Sequence, residues 1–265
     1  MILVTGGTGT LGRLVVPLLR DAGRAVRVLS RRPQESADGV EYVTGDLDTG
    51  AGVGTAVSEA EVIVHCAGRS KGDEERTWAL VRAAARAGSP HLVYISVVGA
   101  DRVPVRSRTD RAMFGYFAQK RAAEQVIVDS GLPWTTLRAS QFHDLILTVV
   151  RAMAKLPVIP VPAGMRFQPV ETGEVAARLV DLALGRPSGL VGDLAGPRIY
   201  PLTDLVRGYL HATDRHRPIL PVRLPGGAAR AVRAGANLAP DHAEGRRTWE
   251  DFLAEHLDTG RKPVA

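Results

Sequence analysis

The glycines near the start of the chain are the first residues whose spacing suggests chemistry. Thr5-Gly6-Gly7-Thr8-Gly9-Thr10-Leu11-Gly12 places them as Gly6-x-x-Gly9-x-x-Gly12. The first allows a tight turn, the second lets bare backbone approach a pyrophosphate, and the third lets a helix pack closely on a strand. A helix that starts there turns its unpaired N–H groups and the positive end of its dipole toward the phosphates. A glycine pattern alone is weak, and a glycine-rich structural turn is the alternative. Here Ile2-Leu3-Val4 reads as a buried strand before the loop. Leu11, Leu14, Val15, Leu18 and Leu19 fall on one face of a helix after it. That context favours dinucleotide binding.

The end of the next strand bears on which dinucleotide. An NAD site usually places an acid there, about 20 residues past the glycines, for the ribose 2′-hydroxyl. This chain has Ser30-Arg31-Arg32-Pro33 and no acid. Two guanidiniums, each a planar fork of donors, suit a 2′-phosphate. Position therefore favours NADP(H) over NAD(H) and over the reading of Arg31 and Arg32 as ordinary surface arginines. Arg13, next to Gly12, is a possible third cation.

Placing these residues requires strands that alternate with helices. Strands are expected at Ala25 to Leu29, Val40 to Val43, Glu61 to His65, His91 to Ile95 and Trp134 to Leu137. A helix capped by Asp73 should carry Trp78 and Val81 and stop at Gly88 and Pro90; another should run from Tyr116 to Ser130. Such alternation implies right-handed crossovers and a mostly parallel, doubly wound sheet of Rossmann type, an α/β fold. From about Phe142 the pattern changes. Leu156 to Pro162 is proline-punctuated. Val175, Leu179 and Leu182 suggest one helix, Leu202, Leu205, Val206, Tyr209 and Leu210 another, and Trp249, Phe252 and Leu253 a last one. We expect a core over residues 1–142 and a small cap over residues 143–265 packed on the same domain. Gly226 to Ala239 is the expected mobile segment.

Composition narrows the class. At 265 residues the chain can bury a sizeable core without staples. Its single cysteine, Cys66, excludes an internal disulfide and cysteine-rich zinc frameworks, and fits a reducing, cytoplasmic setting. No apolar run approaches the roughly 18 residues of a membrane span, and the start lacks the pattern of a signal peptide. Neither membrane nor nucleic acid is expected as a partner. The net charge is +6, but 30 of the 34 basic side chains are arginines spread along the chain, without a basic stripe interleaved with aromatics. The seven histidines form no metal spacing with nearby acids, so no metal is expected.

On these residues the chain resembles the short-chain dehydrogenase/reductase superfamily, and within it the atypical NmrA-like group. That group includes NAD(P)H-dependent quinone and azo-compound reductases and non-catalytic redox sensors. Thr5 to Gly12 matches its TGxxGxxG loop, implying cofactor contacts from Gly6, Thr8, Gly9, Thr10, Leu11 and Gly12. Gly45-Asp46-Leu47-Asp48 matches the adenine-contacting segment, through Asp46 and Leu47. Cys66-Ala67-Gly68 stands at the turn beside the adenine ribose; Cys66 replaces the usual polar residue, so backbone contacts carry over best. Ala139-Ser140-Gln141-Phe142 stands where the family lines the nicotinamide end, implying contacts from Ala139, Gln141 and Phe142. Phe167-Gln168-Pro169-Val170 resembles the return strand near the active site.

The resemblance also implies a catalytic set of Ser96, Tyr116 and Lys120, the last two as YxxxK in Tyr116-Phe117-Ala118-Gln119-Lys120. An i, i+4 spacing puts Tyr116 and Lys120 on one helix face. A hydroxyl hydrogen bond from Ser96 would stabilise negative charge on a carbonyl oxygen. Tyr116 would donate the proton, helped by the Lys120 ammonium, since a free phenol near pKa 10 is too weak an acid. Lys120 would also hold the nicotinamide ribose. The gap from Ser96 to Tyr116 is long for a short family member and makes the serine the weaker assignment. The expected function is NADPH-dependent reduction of a carbonyl, quinone or enone in a small apolar or aromatic substrate, by a monomer or homodimer. A non-catalytic NADP(H)-sensing regulator is the alternative. A sugar-nucleotide epimerase is less favoured, because the second half is short for such a substrate.

Overall fold

In the computed structural model, residues 1–36, 38–68 and 72–258 are described. The first half alternates as expected: β1 (Ile2–Thr5), α1 (Gly12–Asp21), β2 (Val26–Ser30), β3 (Val40–Thr44), α2 (Val53–Val57), β4 (Val62–His65), α3 (Asp73–Arg86), β5 (His91–Val97), α4 (Arg108–Val128) and β6 (Trp134–Ala139). The second half adds α5 (His143–Met153), β7 (Ile159–Pro162), β8 (Arg166–Phe167), α6 (Thr172–Leu184), β9 (Gly189–Leu190), β10 (Tyr200–Pro201), α7 (Leu202–Ala212), β11 (Ile219–Val222), α8 (Gly227–Arg233) and α9 (Trp249–Asp258).

The main sheet has the order β3-β2-β1-β4-β5-β6-β9, and every pair in it is parallel. β1 is the strand at which the order reverses. Thr5 registers with both Leu29 and His65, so the carboxyl ends of β1, β2 and β4 lie level. A reversal of strand order opens a crevice beyond those ends, where this class of sheet binds ligands.

Both faces of the sheet are covered. Val15 and Leu19 of α1 join Val175 and Leu179 of α6 over one face. Leu80 and Ala84 of α3 join Ala123 and Ile127 of α4 over the other. The second half therefore supplies a layer of the main core through α6, and an edge strand through β9, as well as a cap. The cap has its own apolar cluster, in which α5, α7 and α9 pack around Val150, Leu205 and Phe252.

Three expectations need correction. First, α4 starts at Arg108, eight residues before Tyr116. Ser107 Oγ accepts from Asp110 N at 3.0 Å and the Asp110 carboxylate accepts from Ser107 N at 3.1 Å, a capping box that fixes the true start. Second, Asp73 is the first residue of α3 and not its cap; Gly72 holds the cap position at φ 79°, and the Asp73 side chain turns inward. Third, the Gly226 to Ala239 segment is docked. Ala228 N donates to Asp110 Oδ1, Asn237 Nδ2 to the carbonyl of Arg166, and Ala239 N to Gln168 Oε1. The small side chains of Ala228 and Ala229 let α8 lie close against Phe114 of α4.

Candidate functional site

The crevice holds a cleft of about 230 Å³ lined by the glycine loop, the end of β2, the turn after β3 and the turn after β4. Gly6, Thr8 and Gly9 form one wall, Arg31 the β2 edge, Asp46 and Leu47 another wall, and Cys66, Ala67 and Gly68 the floor. Thr10, Leu11 and Gly12 carry the loop into α1 and are not part of the lining. Arg32 is exposed and also outside it.

The three motif glycines have different reasons. Gly6 sits at φ 70°, and a Cβ there would stand 2.6 Å from Ala67 N. A Cβ on Gly12 would run into the Gly6 carbonyl and the Gly7 Cα. Both glycines are required by the fold itself. Gly9 is different: its φ is ordinary and a Cβ would meet only Gly6 O, at 3.2 Å. The protein leaves the space above Gly9 open, which fits a ligand whose phosphate approaches bare backbone. No side chain caps α1; the N–H groups of Arg13 and Leu14 are taken by the carbonyls of Gly9 and Leu11, at 3.0 Å each.

The sequence reading missed Arg76, which lines the cleft from α3. Its Nε and Nη2 grip the Asp48 carboxylate at 2.6 and 2.9 Å, and Nη1 lies 3.7 Å from Asp73 Oδ1. The bond to Asp48 raises its pKa above the usual range, against the effect of burial. Nothing in the sequence sets Arg76 apart from Arg82 and Arg86 on the same helix; only the folded position does.

Beneath the floor lies a buried polar cluster. Lys120 Nζ donates to Tyr94 OH at 3.2 Å and to the Ile95 carbonyl at 3.1 Å, and pairs with Asp73 Oδ2 at 3.4 Å. Burial works against the ammonium, but Tyr94, Tyr116 and Asp73 outweigh it and its pKa is raised. A Cβ on Gly68 would stand 2.9 Å from Nζ, so the ammonium is packed directly behind the cleft floor. Beside it, His65 Nδ1 and Thr5 Oγ1 are 2.6 Å apart, and the His65 ring stacks on Tyr94. Burial, with Lys120 and Arg76 nearby, lowers the His65 pKa to about 3, so its ring is neutral. Burial also pushes the Cys66 thiol up to about 12, which leaves it a weak nucleophile.

Tyr116 lies one turn before Lys120 on α4, more than a third exposed, with Nζ 5.7 Å from its ring centroid. Ser96 is engaged elsewhere. Its hydroxyl donates to Glu124 Oε1 at 2.6 Å, and Glu124 is gripped by Arg138 through two bonds of 2.8 Å. The strand buries Ser96 against Glu124, so the serine expected beside Tyr116 has its hydrogen committed to a structural ion pair. At the end of β6, Ala139 is part of the apolar core and Phe142 opens α5. Gln141 is buried there, and among the described residues neither polar atom of its side chain has a hydrogen-bond partner. Such an orphaned amide fits a polar ligand group at that strand end.

The parallel order, the level strand ends and the open Gly9 define a Rossmann-type dinucleotide-binding fold. The chain belongs to the NAD(P)H-binding family, whose profile matches residues 6–162. It is 30% identical over 245 residues to a ceramide reductase of Caulobacter vibrioides, covering 85% of this chain and 74% of that protein. It is 36% identical over 146 residues to (4-alkanoyl-5-oxo-2,5-dihydrofuran-3-yl)methyl phosphate reductase of Streptomyces griseus, covering 54% of this chain and 48% of that protein. The chain thus spans about half the length, or less, of the first curated relatives it matches. In fold it is similar to an NADPH-dependent quinone oxidoreductase of Escherichia coli solved with NADPH, at a TM-score of 0.80 and 20% identity, covering 97% of this chain and 100% of that one.

Proposed function

We propose that the chain is an NADPH-dependent reductase of a carbonyl, quinone or enone in a small apolar or aromatic molecule. Tyr116 is its proton donor. The observation that carries this reading is the Tyr116/Lys120 pair, one helical turn apart, with the ammonium packed behind Gly68 of the dinucleotide cleft. The relatives named as reductases support the same reaction class. NADPH bound in the cleft would supply the hydride. Arg31 at the cleft edge would hold the 2′-phosphate, Gly9 and the loop backbone leading into α1 the pyrophosphate, and Gln141 a polar group at the end of β6. Lys120 would keep positive charge beneath the site and favour a phenolate at Tyr116 once the proton has left.

A second reading, a regulator that binds NADP(H) without turnover, has an observation of its own. Both the Lys120 ammonium and the Ser96 hydroxyl are already engaged by protein groups. One experiment separates the two. NADPH consumption is followed with a panel of quinones, aldehydes, ketones and enones, for wild type and Tyr116→Phe. The reductase reading expects turnover that falls about 10²–10⁴-fold in the variant, with NADPH affinity unchanged. Tight NADPH binding with no turnover on any substrate would favour the regulator.

A further inference from the structure

The net charge of +6 is concentrated in one region. Residues 145–162 and 215–240 together carry seven arginines and lysines and not one Asp or Glu; two of the seven, Arg230 and Arg233, lie on α8, which packs on α4, and the other five lie on α5 and along the two strands and their approaches. The fold joins these two segments. β7 and β11 pair in parallel, with Pro160 beside Leu220, and Ile159 N donates to the carbonyl of Pro218 at 2.9 Å. The approaches to both strands, Leu156 to Val158 and Arg215 to Arg217, therefore run side by side.

Exposed aliphatic side chains lie on α5 and along the joined strands and their approaches. Leu145, Val149, Leu156, Val158 and Leu220 expose between 42% and 55% of their area. Leu145 and Val149 are one turn apart on α5 and point away from Ile146, Leu147 and Val150, which are buried against the cap. Around this stripe Arg151, Lys155, Arg215, Arg217 and Arg223 are all exposed. Next to it a shallow cleft of about 570 Å³ is lined by Arg207, His211, Arg215, His216 and Arg217. The acids beside this field are Asp204, which pairs with Arg207, Asp214, next to Arg215, and Asp144, in the first turn of α5; they are outnumbered by the exposed cations around the stripe.

We propose that the face formed by α5, β7 and β11 binds the surface of a bilayer rich in anionic phospholipid. Protruding aliphatic side chains ringed by arginine and lysine match the interfacial region of such a membrane: the chains enter the acyl boundary and the cations meet phosphate. A second copy of the chain fits less well, because a two-fold contact through this face would set cations against cations. Nucleic acid fits less well too, because the protruding groups are aliphatic and offer no stacking platform. No helix among the described residues is long and apolar enough to cross a membrane, so the contact is peripheral.

The test is sedimentation of the full chain with vesicles of phosphatidylcholine alone and of equal parts phosphatidylcholine and phosphatidylglycerol. The expected result is binding to the anionic vesicles only, weakening steeply as salt rises. Lys155→Ala/Arg215→Ala/Arg217→Ala should bind roughly a hundredfold more weakly. Leu156→Ser/Val158→Ser/Leu220→Ser should also bind more weakly, and both variants should keep the wild-type melting temperature and NADPH titration. The salt dependence of the wild type tests the proposal even if a variant folds poorly. Absence of pelleting with anionic vesicles, or equal pelleting with neutral ones, would overturn it. So would tighter binding to duplex DNA, or a dimer in ultracentrifugation that the serine variant dissolves.

Discussion

Lys120 and Asp73 form an ion pair sealed from solvent, Nζ standing 3.4 Å from Oδ2 with side-chain exposures of 3% and 2%. The pair ties the middle of α4 to the first turn of α3, directly behind Gly68. Removing one partner of such a pair leaves the other charge buried, which costs about 3–5 kcal/mol. Asp73→Asn should therefore destabilise the protein by about that amount in urea unfolding. Asp73→Asn/Lys120→Met removes both charges and should recover much of the loss. If the double variant is no more stable than Asp73→Asn, the pair does not hold these helices together.

The glycines at 9 and 12 should fail in different ways. Gly12→Ala forces a methyl into the backbone of Gly6 and Gly7, so its melting temperature should drop. Gly9→Ala faces open space apart from Gly6 O, so the fold should persist while NADPH affinity falls at least about tenfold. Circular dichroism and NADPH fluorescence separate the two effects. A Gly9→Ala protein that binds NADPH normally would place the pyrophosphate elsewhere.

Arg31 and Arg32 should not share the 2′-phosphate equally. Arg31 lines the cleft and Arg32 does not. Arg31→Ala is expected to lose most of any preference for NADPH over NADH, an effect of about 1.5–3 kcal/mol for a charged hydrogen bond. Arg32→Ala should lose far less. Titrating both cofactors against wild type and the two variants measures this, and equal wild-type affinities would remove the basis for assigning the arginines to a phosphate.

His65 should make stability depend on mild acid. Its folded pKa of about 3 lies below the ordinary imidazole value of 6.5, chiefly because the ring is buried. Between those values the unfolded chain binds a proton that the folded chain refuses. Stability is therefore full above about pH 6.5 and falls as pH drops toward 3, by up to about 1.4 kcal/mol per unit. Urea unfolding at steps from pH 7.5 to pH 5 should show this slope, above the range where most carboxylates titrate. His65→Gln should reduce it, leaving the part due to His91, whose pKa burial also lowers; an unchanged slope in that variant would assign the effect to other groups.

Much of the fold was legible in the sequence because local signals agreed with one another. The apolar run of β1, the glycine loop and the one-sided face of α1 are each set by neighbours a few residues apart, and they imply the crevice that follows from parallel strands. Asp46, Leu47, Cys66, Ala67 and Gly68 were singled out by the family resemblance alone, and they line the cleft because they follow β3 and β4. What lay hidden depended on partners distant in the chain. Asp73 read as a helix cap because nothing local reveals that Lys120, 47 positions on, stands beside it. Ser96 looked available until Glu124 and Arg138 were brought against it across two elements. Arg76 became a cleft residue only when α3 turned it toward Asp48. Gly226 to Ala239 looked loose by composition, yet the small side chains that suggested mobility are what allow close docking on α4. Hydrophobic period and backbone permissiveness act within a few residues and can be read along the chain. The pairing of buried charges and hydroxyls is decided by which elements pack together, and that is a property of the tertiary structure alone.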